Sequence, residues 1–323
     1  MIRFESGMDD LWMAPLRGLT GWVYRSVWAA HFSGIVNSVS PFITTVRARK
    51  VKQAFFRDLF PENNENLPVI PQILGNDPGD MAYLVSRLED LGYDHVNWNL
   101  GCPYKMVAKK KRGSGLLPFP DQIDAVLDTL CRHREGRISV KLRLGRETAD
   151  EIQALIPVLN AHPLSGVILH PRTGVQMYAG RADRDAFGNC LPLFKHPVMY
   201  NGDITTAADA AAVKQACPAA AGQMLGRGLL CDPFLPETIS GANLSEAVRR
   251  NRLKAFHDDL LDRYRIVQSG EKHVLDKMKG LWVYQRFSFA DPASAFRQIR
   301  KTASLDAYTA AVTTVFDVYP LKS

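Results

Sequence analysis

The sequence reads ISVKLRL at residues 138–144, GVILH at 166–170, VMYN at 198–201 and GQMLG at 222–226. Each of these runs is short and mostly apolar, as expected for a strand that is buried on both faces of a parallel sheet. The intervals between them are about twenty to thirty residues, long enough for one helix and its two connections. This stretch therefore predicts a series of parallel strands, each followed by a helix.

Four more runs of the same kind precede this stretch, so the pattern extends over most of the chain. They are LWMAPL (11–16), IVNSVS (35–40), VIPQIL (69–74) and HVNWNL (95–100). Between the runs, apolar residues recur with helical spacing; in 80–91, for example, Met81, Leu84, Leu88 and Leu91 share one face. The same spacing predicts helices over 121–131 and 205–216.

Eight strand–helix units indicate an α/β fold whose parallel sheet closes as a TIM (β/α)8 barrel. A doubly wound open sheet is the alternative, and no GxGxxG follows the first run to favour it. The second unit has the weakest pattern. Its connection, 41–67, carries a basic segment that we interpret as helical, with Arg47, Arg49, Lys50 and Lys52.

The pattern changes after residue 242, where helical periodicity replaces the alternation of strands and helices. We predict helices over 244–267, 272–287 and 292–319, and divide the chain into a catalytic barrel (1–242) and a helical domain (243–323). The helical part carries 14 Lys and Arg against 9 Asp and Glu, a net charge of +5, out of +7 for the whole chain. A basic tail on a nearly neutral body indicates a polyanionic partner, with RNA or DNA first, although an ordinary solvated surface is the alternative.

Composition argues against several other classes of protein. No stretch approaches eighteen uninterrupted apolar residues, so we expect no membrane span, and MIRFESGMDDLW at the start has no apolar signal core. The 5 cysteines are irregularly spaced and form no CxxC pair. This pattern favours a cytoplasmic protein with reduced thiols over a disulfide framework or a zinc site. We expect no metal, and no obligate protein partner is evident.

Polar residues are concentrated where the predicted strands end, and in a TIM barrel those ends form the active site. The seventh and eighth strands end in NGD (201–203) and GRG (226–228), at the usual phosphate site of this fold. Glycines there let backbone N–H groups approach phosphate oxygens, and Arg227 can add a charge-assisted bond. Lys141 inside a strand needs an anionic or carbonyl-rich partner, and Gln72 and Asn99 supply amides suited to the pyrimidine edge of a flavin.

Cys102 is the one cysteine that lies in a Gly-Cys-Pro turn at a strand end. We interpret the other four, Cys131, Cys190, Cys217 and Cys231, as structural. An ordinary thiol, with a pKa of about 8.5, stays protonated at neutral pH and can therefore act as an acid. A nucleophilic Cys102 paired with His170, as in a hydrolase, is the alternative; the sequence offers no clear oxyanion hole for it.

Seven segments, in this order, resemble the tRNA-dihydrouridine synthase family over nearly the whole barrel. They are APLRGLTGWVYR, PVIPQILGNDP, NWNLGCPYKMVAKKKRGSGLL, ISVKLRLG, LHPRTGVQMYAGRAD, NGDI and MLGRGLL. The helical part is similar to the C-terminal tRNA-binding domain of that family in size and charge, but more loosely.

The resemblance implies that the barrel binds FMN and that NADPH, or NADH, reduces it. It further implies that reduced FMN gives a hydride to C6 of a flipped-out uridine in tRNA while Cys102 gives a proton to C5. The residues that would contact FMN are Pro15, Leu16, Gln72, Lys141, His170, Asn201, Gly202, Asp203, Gly226 and Arg227. Those that would bind the RNA are Asn99 and Arg143 near the uracil, Lys109, Lys110, Lys111 and Arg112 beside the Cys102 turn, and Lys277 and Lys279 in the tail. In the tail, Trp282 and Tyr284 are candidates for stacking on bases.

Four positions depart from the family pattern: Leu16 replaces Met, Gly21 replaces Asp, Asn97 replaces an acidic residue and Tyr104 replaces a small one. They place the sequence away from the best-known subfamilies and leave the modified uridine undetermined. Two alternatives remain, an FMN barrel enzyme acting on a free pyrimidine-like metabolite and a non-catalytic RNA-binding homologue. The basic run 109–112 favours RNA, and Cys102 together with Lys141 and His170 favours an enzyme.

Overall fold

The computed structural model describes residues 4, 7, 9–47 and 51–322, so that Arg49 and Lys50 of the basic segment lie outside the described residues. Ten short strands form one sheet in which every pairing is parallel. The strands are β1 Leu11–Met13, β2 Asn37–Val39, β3 Ile43–Thr44, β4 Val69–Ile70, β5 Gln72–Leu74, β6 Val96–Leu100, β7 Ile138–Gly145, β8 Gly166–Thr173, β9 Val198–Tyr200 and β10 Gln223–Leu225. Each of the eight predicted runs contains a strand.

The sheet closes at the apolar run VIPQIL (69–74), which Pro71 divides into β4 and β5. Proline has no N–H to donate to a ladder, so the strand is interrupted at that residue. β4 pairs with β2 on one side, while β5 pairs with β6 on the other. The strand order β3-β5-β6-β7-β8-β9-β10-β1-β2-β4 therefore ends with β4, which is joined through Pro71 to β5 near the start of the order. The predicted barrel is confirmed.

Nine helices of the barrel region lie between or after these strands in the described residues. They are α1 Trp22–His31, α2 Pro78–Glu89, α3 Lys105–Ala108, α4 Pro120–Cys131, α5 Ile152–Ala161, α6 Arg184–Cys190, α7 Ala207–Ala216, α8 Arg227–Cys231 and α9 Leu235–Ile239. Local caps set their starts: Asp77 accepts from the Asp80 N–H before α2, and Thr206 forms a capping box with Asp209 before α7. The helices predicted over 80–91, 121–131 and 205–216 are confirmed as α2, α4 and α7.

The tail consists of α10 Glu246–Val267, α11 Glu271–Gln285, α12 Pro292–Arg300 and α13 Leu305–Val318. The single helix predicted over 292–319 was wrong, because the Ser304 side chain accepts from the Ala307 N–H and starts a new helix. Phe289 and Leu321 also form an isolated antiparallel bridge, although no strand pairing was expected after the barrel. In the described part of the chain, every helix is too short or too polar to cross a membrane.

The tail packs directly on the barrel beside α1. Phe256 of α10 lies against Tyr24 and Phe32, with ring centroids 5.8 and 5.1 Å apart, in the same apolar cluster as the barrel helices. A separate buried group fills the barrel itself, formed by Phe4, Trp12, Ala14, Val39, Ile70, Ile168, Met199 and Met224. The architecture changes near residue 242, and a tail that forms a domain of its own stays a prediction.

Candidate active site

A cavity of 340 Å³ opens at the carboxyl ends of the barrel strands. It gathers most of the predicted site residues: Pro15, Leu16, Asn99, Cys102, Lys141, Arg143, His170, Asn201, Gly202, Asp203, Gly226 and Arg227. These residues come from six strand ends and their loops, separated by as much as two hundred residues of sequence. We call this space the active-site cavity.

Cys102 is held in place by its backbone, immediately after β6. Its N–H donates to Asn99 Oδ1 at 2.9 Å, and its carbonyl accepts from the N–H and the hydroxyl of Ser114, both at 3.0 Å. Gly113, with a φ of 57°, packs so closely that a Cβ there would lie 2.8 Å from Cys102 Cβ. The thiol is therefore positioned by a loop that only glycine permits at residue 113.

The environment of Cys102 keeps its thiol protonated. Burial raises the pKa of Cys102 above its ordinary value, and the Tyr104 N–H and the charges of Arg17 and Arg143 offset only part of this. At neutral pH the side chain is consequently a thiol and can give up a proton. A thiolate nucleophile would need the opposite shift.

A chain of buried amides and a hydroxyl leads from Cys102 into the barrel. Asn99 Nδ2 donates to Gln72 Oε1 at 2.8 Å, Gln72 Nε2 donates to Asn97 Oδ1 at 2.7 Å, and Asn97 Nδ2 donates to Ser139 Oγ at 2.9 Å. We call these four residues the polar chain. Gln72 is completely buried and does not line the cavity, so it acts on the site through Asn99.

Lys141 and His170 form the inner wall of the cavity. Lys141 Nζ donates to Asn201 Oδ1 at 2.5 Å, and Asn201 Nδ2 in turn donates to the Met224 carbonyl at 2.8 Å. Burial, together with the charge of Arg143, lowers the pKa of Lys141 to about 7. Burial and the surrounding cations hold the pKa of His170 well below its ordinary value, so its imidazole is neutral.

Two arginines and one carboxylate, Arg172, Arg227 and Asp203, lie together at the end of the cavity where β8, β9 and β10 end. Asp203 accepts from Arg172 at 2.6 and 3.0 Å and from Arg227 at 3.0 Å, and its second oxygen also accepts from the Ala182 N–H. Burial acts to raise the pKa of Asp203, but these hydrogen bonds and charges outweigh it and the pKa falls below its ordinary value. The Asp203 carboxylate is thus ionised. Its charge balances one of the two guanidinium charges, and the other positive charge remains uncompensated.

Arg172 was not named as a site residue, although it lies in the quoted segment LHPRTGVQMYAGRAD and near the end of β8, which runs to Thr173. Residues that line the active-site cavity and were not predicted include Arg17, Phe42 and Tyr178. The ring of Tyr178 lies under two guanidinium groups, those of Arg227 at 4.7 Å and Arg143 at 5.5 Å. Tyr178 and Arg17 follow quoted motif residues closely and were recoverable from the sequence, while Phe42 carries no local signal.

The tail contributes one ring to the cavity, and it is Tyr284. Trp282 is fully buried and donates its indole N–H to the Tyr308 hydroxyl at 2.8 Å. Its predicted role in stacking on RNA bases was therefore wrong, because neither face of the indole reaches the surface.

Apart from Arg143, the six predicted RNA-binding cations fall into two groups. Lys109, Lys110 and Lys111 are exposed after α3, and Lys111 Nζ lies 4.0 Å from the Phe119 ring centroid. The other three side chains hold loops together: Arg112 donates to Asn76 Oδ1 at 3.2 Å, Lys277 donates to the Gly18 carbonyl at 2.6 Å, and Lys279 donates to the Thr302 carbonyl. Only the first group faces solvent without such a bond.

Gly21, a departure from the family pattern, leaves room for an acid from another segment. Asp58 accepts from the Trp22 N–H at 2.6 Å and from Arg25 at 3.0 Å, and a Cβ at Gly21 would lie 3.1 Å from Asp58 Oδ1. Asp58 thereby meets the N-terminus of α1, where a carboxylate is favoured by the helix dipole.

The fold and this cavity define a TIM-barrel enzyme with its site at the carboxyl rim. The sequence profile of the dihydrouridine synthase (Dus) family matches residues 12–313, and the chain belongs to this oxidoreductase family. It is 30% identical over 238 residues to the tRNA-dihydrouridine(16) synthase of Pseudomonas putida, covering 71% of this chain and 73% of that protein. The enzyme of the same name from Pseudomonas syringae pv. tomato is 25% identical over 311 residues, covering 92% of this chain and 96% of that one.

Two further comparisons agree. A probable tRNA-dihydrouridine synthase of Rhodobacter capsulatus is 29% identical over 238 residues, or 73% of this chain and 72% of that one. Among solved structures, the old yellow enzyme homologue of Zymomonas mobilis superposes with a TM-score of 0.53 at 14% identity, covering 76% of this chain and 92% of that one. At that identity the likeness concerns the barrel fold alone.

Proposed function

We propose that this protein reduces uridine in tRNA to 5,6-dihydrouridine, with FMN as its bound cofactor and NADPH or NADH as the reductant. The observation that carries the proposal is the position of the buried Cys102 thiol, which lines the same cavity as Lys141, His170 and the Asp203–Arg227 pair. The names of the relatives supply the substrate. We further propose that it acts in the cytoplasm, where its five free cysteines stay reduced.

The residues of the cavity fit FMN. Glycines keep the loops after β8, β9 and β10 close together: a Cβ at Gly228 would lie 2.1 Å from the Ile204 carbonyl oxygen, and one at Gly202 would lie 2.7 Å from Ala182 Cβ. The excess guanidinium charge at this end suits a phosphate, and Lys141 and Asn201 offer donors to the carbonyl-rich edge of the flavin ring. When bound and reduced, FMN supplies the hydride for C6 of the uracil.

The chain itself supplies the proton and the electrostatic environment. Cys102 donates its proton to C5, and the negative charge that develops on the uracil oxygen is stabilised by Arg143. Arg143 is positioned by three carbonyls, those of Gly101, Thr173 and Met177, at 2.8 to 2.9 Å. Asn99 lies beside the uracil position and holds the backbone of Gly101 and Cys102 through its Oδ1.

RNA is favoured over a free pyrimidine because the loop that carries Cys102 also presents Lys109, Lys110 and Lys111 to solvent. A free metabolite needs no such run, whereas a base that must leave its stack needs backbone contacts that offset a cost of a few kcal/mol.

The proposal is tested by incubating purified protein, NADPH and tRNA from cells that lack the gene, and measuring dihydrouridine by nucleoside mass spectrometry. We expect a yellow protein that releases FMN on denaturation and forms dihydrouridine at one or a few positions. FMN-loaded protein that oxidises NADPH but leaves every uridine intact would contradict the proposal. Mapping the product position then settles which uridine is modified.

FMN affinity is expected to fall as pH rises above about 7. Free Lys141 loses its proton near that pH, and an anionic or carbonyl-rich ligand favours the protonated form, so binding takes up a proton. The loss should approach tenfold per pH unit until the pKa of the bound state is passed. Flavin fluorescence titrations from pH 6.5 to 9 measure this dependence.

Lys141→Met should bind FMN weakly at every pH and abolish the slope. The matched control is Lys214→Met, at an exposed lysine paired with Asp9, which should keep the slope of the wild-type protein. A wild-type affinity that is independent of pH over this range would show that Lys141 does not meet the cofactor.

Replacing Lys109, Lys110 and Lys111 together with alanine should weaken tRNA binding by at least about tenfold at low salt. Because each lysine lost removes about one unit from the salt dependence, the slope of log K against log salt should fall by up to about three. The control removes Arg132, Arg137 and Lys195, which are exposed towards the amino ends of the strands. Equal losses in both triple variants would mean that overall charge, and not this loop, binds the RNA.

A further inference from the structure

A second cavity, of 590 Å³, adjoins the active-site cavity on the side of the tail. The two share a wall formed by Tyr178, Gly202, Asp203, Thr205, Arg227 and Tyr284. Its outer rim is built by the segment from the end of β8 to the start of α6 on one side, and by Tyr284 of α11 and Phe287 just after that helix on the other. A space of this size is within the range of small-ligand sites, about 300 to 1,000 Å³.

The second cavity is positively charged. Arg181 and Arg184 lie exposed on its rim, and within the described residues neither forms an ion pair. Its two carboxylates are already engaged: Asp203 accepts from Arg172 and Arg227, and Asp209 accepts from the N–H groups of Thr205 and Thr206. Asp209 keeps its negative charge, but four arginines line the cavity against these two carboxylates. An anion entering this space therefore meets an excess of two positive charges.

Aromatic rings stand next to these charges. Tyr178 is 41% exposed beside the guanidinium groups of Arg143 and Arg227, and Phe287 is 43% exposed with Arg286 4.8 Å from its ring centroid. Tyr284 completes the wall between the cavities. Guanidinium groups together with partly exposed rings are the combination that binds a single-stranded nucleotide, because the cation meets the phosphate and the ring stacks on the base.

We propose that the second cavity holds one nucleotide of the substrate RNA, the neighbour of the uridine that enters the active-site cavity. Its phosphate lies at Arg181 and Arg184, and its base stacks on Phe287 and Tyr284. The inference rests on the proposed function and adds to it a subsite for the flanking nucleotide. The two cavities share a wall, so two adjacent nucleotides, which are joined by a single phosphodiester, can occupy one cavity each.

The test uses FMN-loaded, oxidised protein and an unmodified tRNA transcript, and measures the dissociation constant as a function of salt. The Arg181→Gln/Arg184→Gln variant should bind tRNA about ten- to a hundredfold more weakly. Two lost contacts to a single strand should also lower the slope of log K against log salt by about 1.4. Phe287→Ala should weaken binding by about tenfold while leaving the slope unchanged, because stacking releases no counterions.

The matched control is Arg132→Gln/Arg137→Gln, which removes the same charge from the opposite end of the barrel and should change affinity less than threefold. Three results overturn the inference. The first is a loss of FMN affinity in the Arg181/Arg184 variant, which would make the cavity the cofactor phosphate site. The second is a raised KM for NADPH with unchanged tRNA affinity. The third is no change in any of these quantities. Dihydrouridine formation by wild-type protein on the same transcript tests the proposed function separately. If that product forms while the variants bind tRNA normally, only the second-cavity inference fails.

Discussion

Replacing Cys102 with alanine should lower the rate of dihydrouridine formation by about 10²- to 10⁴-fold, the usual contribution of a positioned general acid. The thiol is buried, its pKa is raised, and its backbone is fixed by Asn99 and Ser114, so little else can deliver a proton to the same atom. FMN content and the dissociation constant for tRNA should stay near their wild-type values, because neither depends on the sulfur. The measurement is single-turnover formation of dihydrouridine by enzyme whose flavin has been reduced beforehand.

Cys217→Ala is the matched control, since Cys217 is another buried thiol but lies at the end of α7, outside the active-site cavity. It should retain the wild-type rate. A Cys102→Ala enzyme with full activity would remove the acid from the mechanism. A variant that loses its FMN would instead show that the thiol shapes the cofactor site.

Replacing Asp203 with asparagine should lower the free energy of unfolding of the cofactor-free protein by about 2–4 kcal/mol. Arg172 is 1% exposed in its side chain and would be left with a buried charge, a loss usually worth about 3–5 kcal/mol. We expect the lower part of that range because the Asp203 side chain is 32% exposed and partly screened. Asparagine tolerates the φ of 43° at this position, so backbone strain is not the cause.

Urea unfolding measures the loss of stability, and inorganic phosphate or FMN should restore part of it in the variant by serving as the counter-charge of Arg172.

The same carboxylate predicts how the stability of the wild-type protein changes in acid. Its folded pKa is lowered, so the stabilisation is complete above the ordinary pKa of an aspartate and is lost as pH falls through the lowered value. Asp128→Asn, at an exposed pair with Arg132, should change stability by less than about 0.5 kcal/mol. Equal effects at the two positions would contradict the argument.

The barrel was predictable because each strand leaves an apolar run and the runs recur at helix-sized intervals. The cavity followed from a rule of the fold, that strand ends meet, and this rule placed Cys102, Lys141, His170 and Arg227 together. The tail was predicted less well, since α12 and α13 are separated by only four residues, 301–304, of which Ser304 caps the second helix.

What the sequence could not tell is the direction of individual side chains. Lys109 and Arg112 belong to one basic run, yet the first faces solvent while the second turns inwards to Asn76 and Thr45. Trp282 and Tyr284 are two residues apart on one helix, and only Tyr284 reaches the cavity. Such differences depend on contacts between segments that are distant in sequence, and periodicity does not encode them.

The polar chain from Ser139 to Asn99 has a consequence for how sequences of this kind diverge. Each amide in it both donates and accepts, so the direction of every hydrogen bond is dictated by the previous one. An aspartate at residue 97 would accept from Gln72 and from the Ser139 hydroxyl, which can donate as well as accept, but it would bring an unpaired charge into the barrel. Replacement at 97 should therefore be accompanied by replacement at 139 or 72, and these three positions are expected to covary as a unit among descendants of this chain.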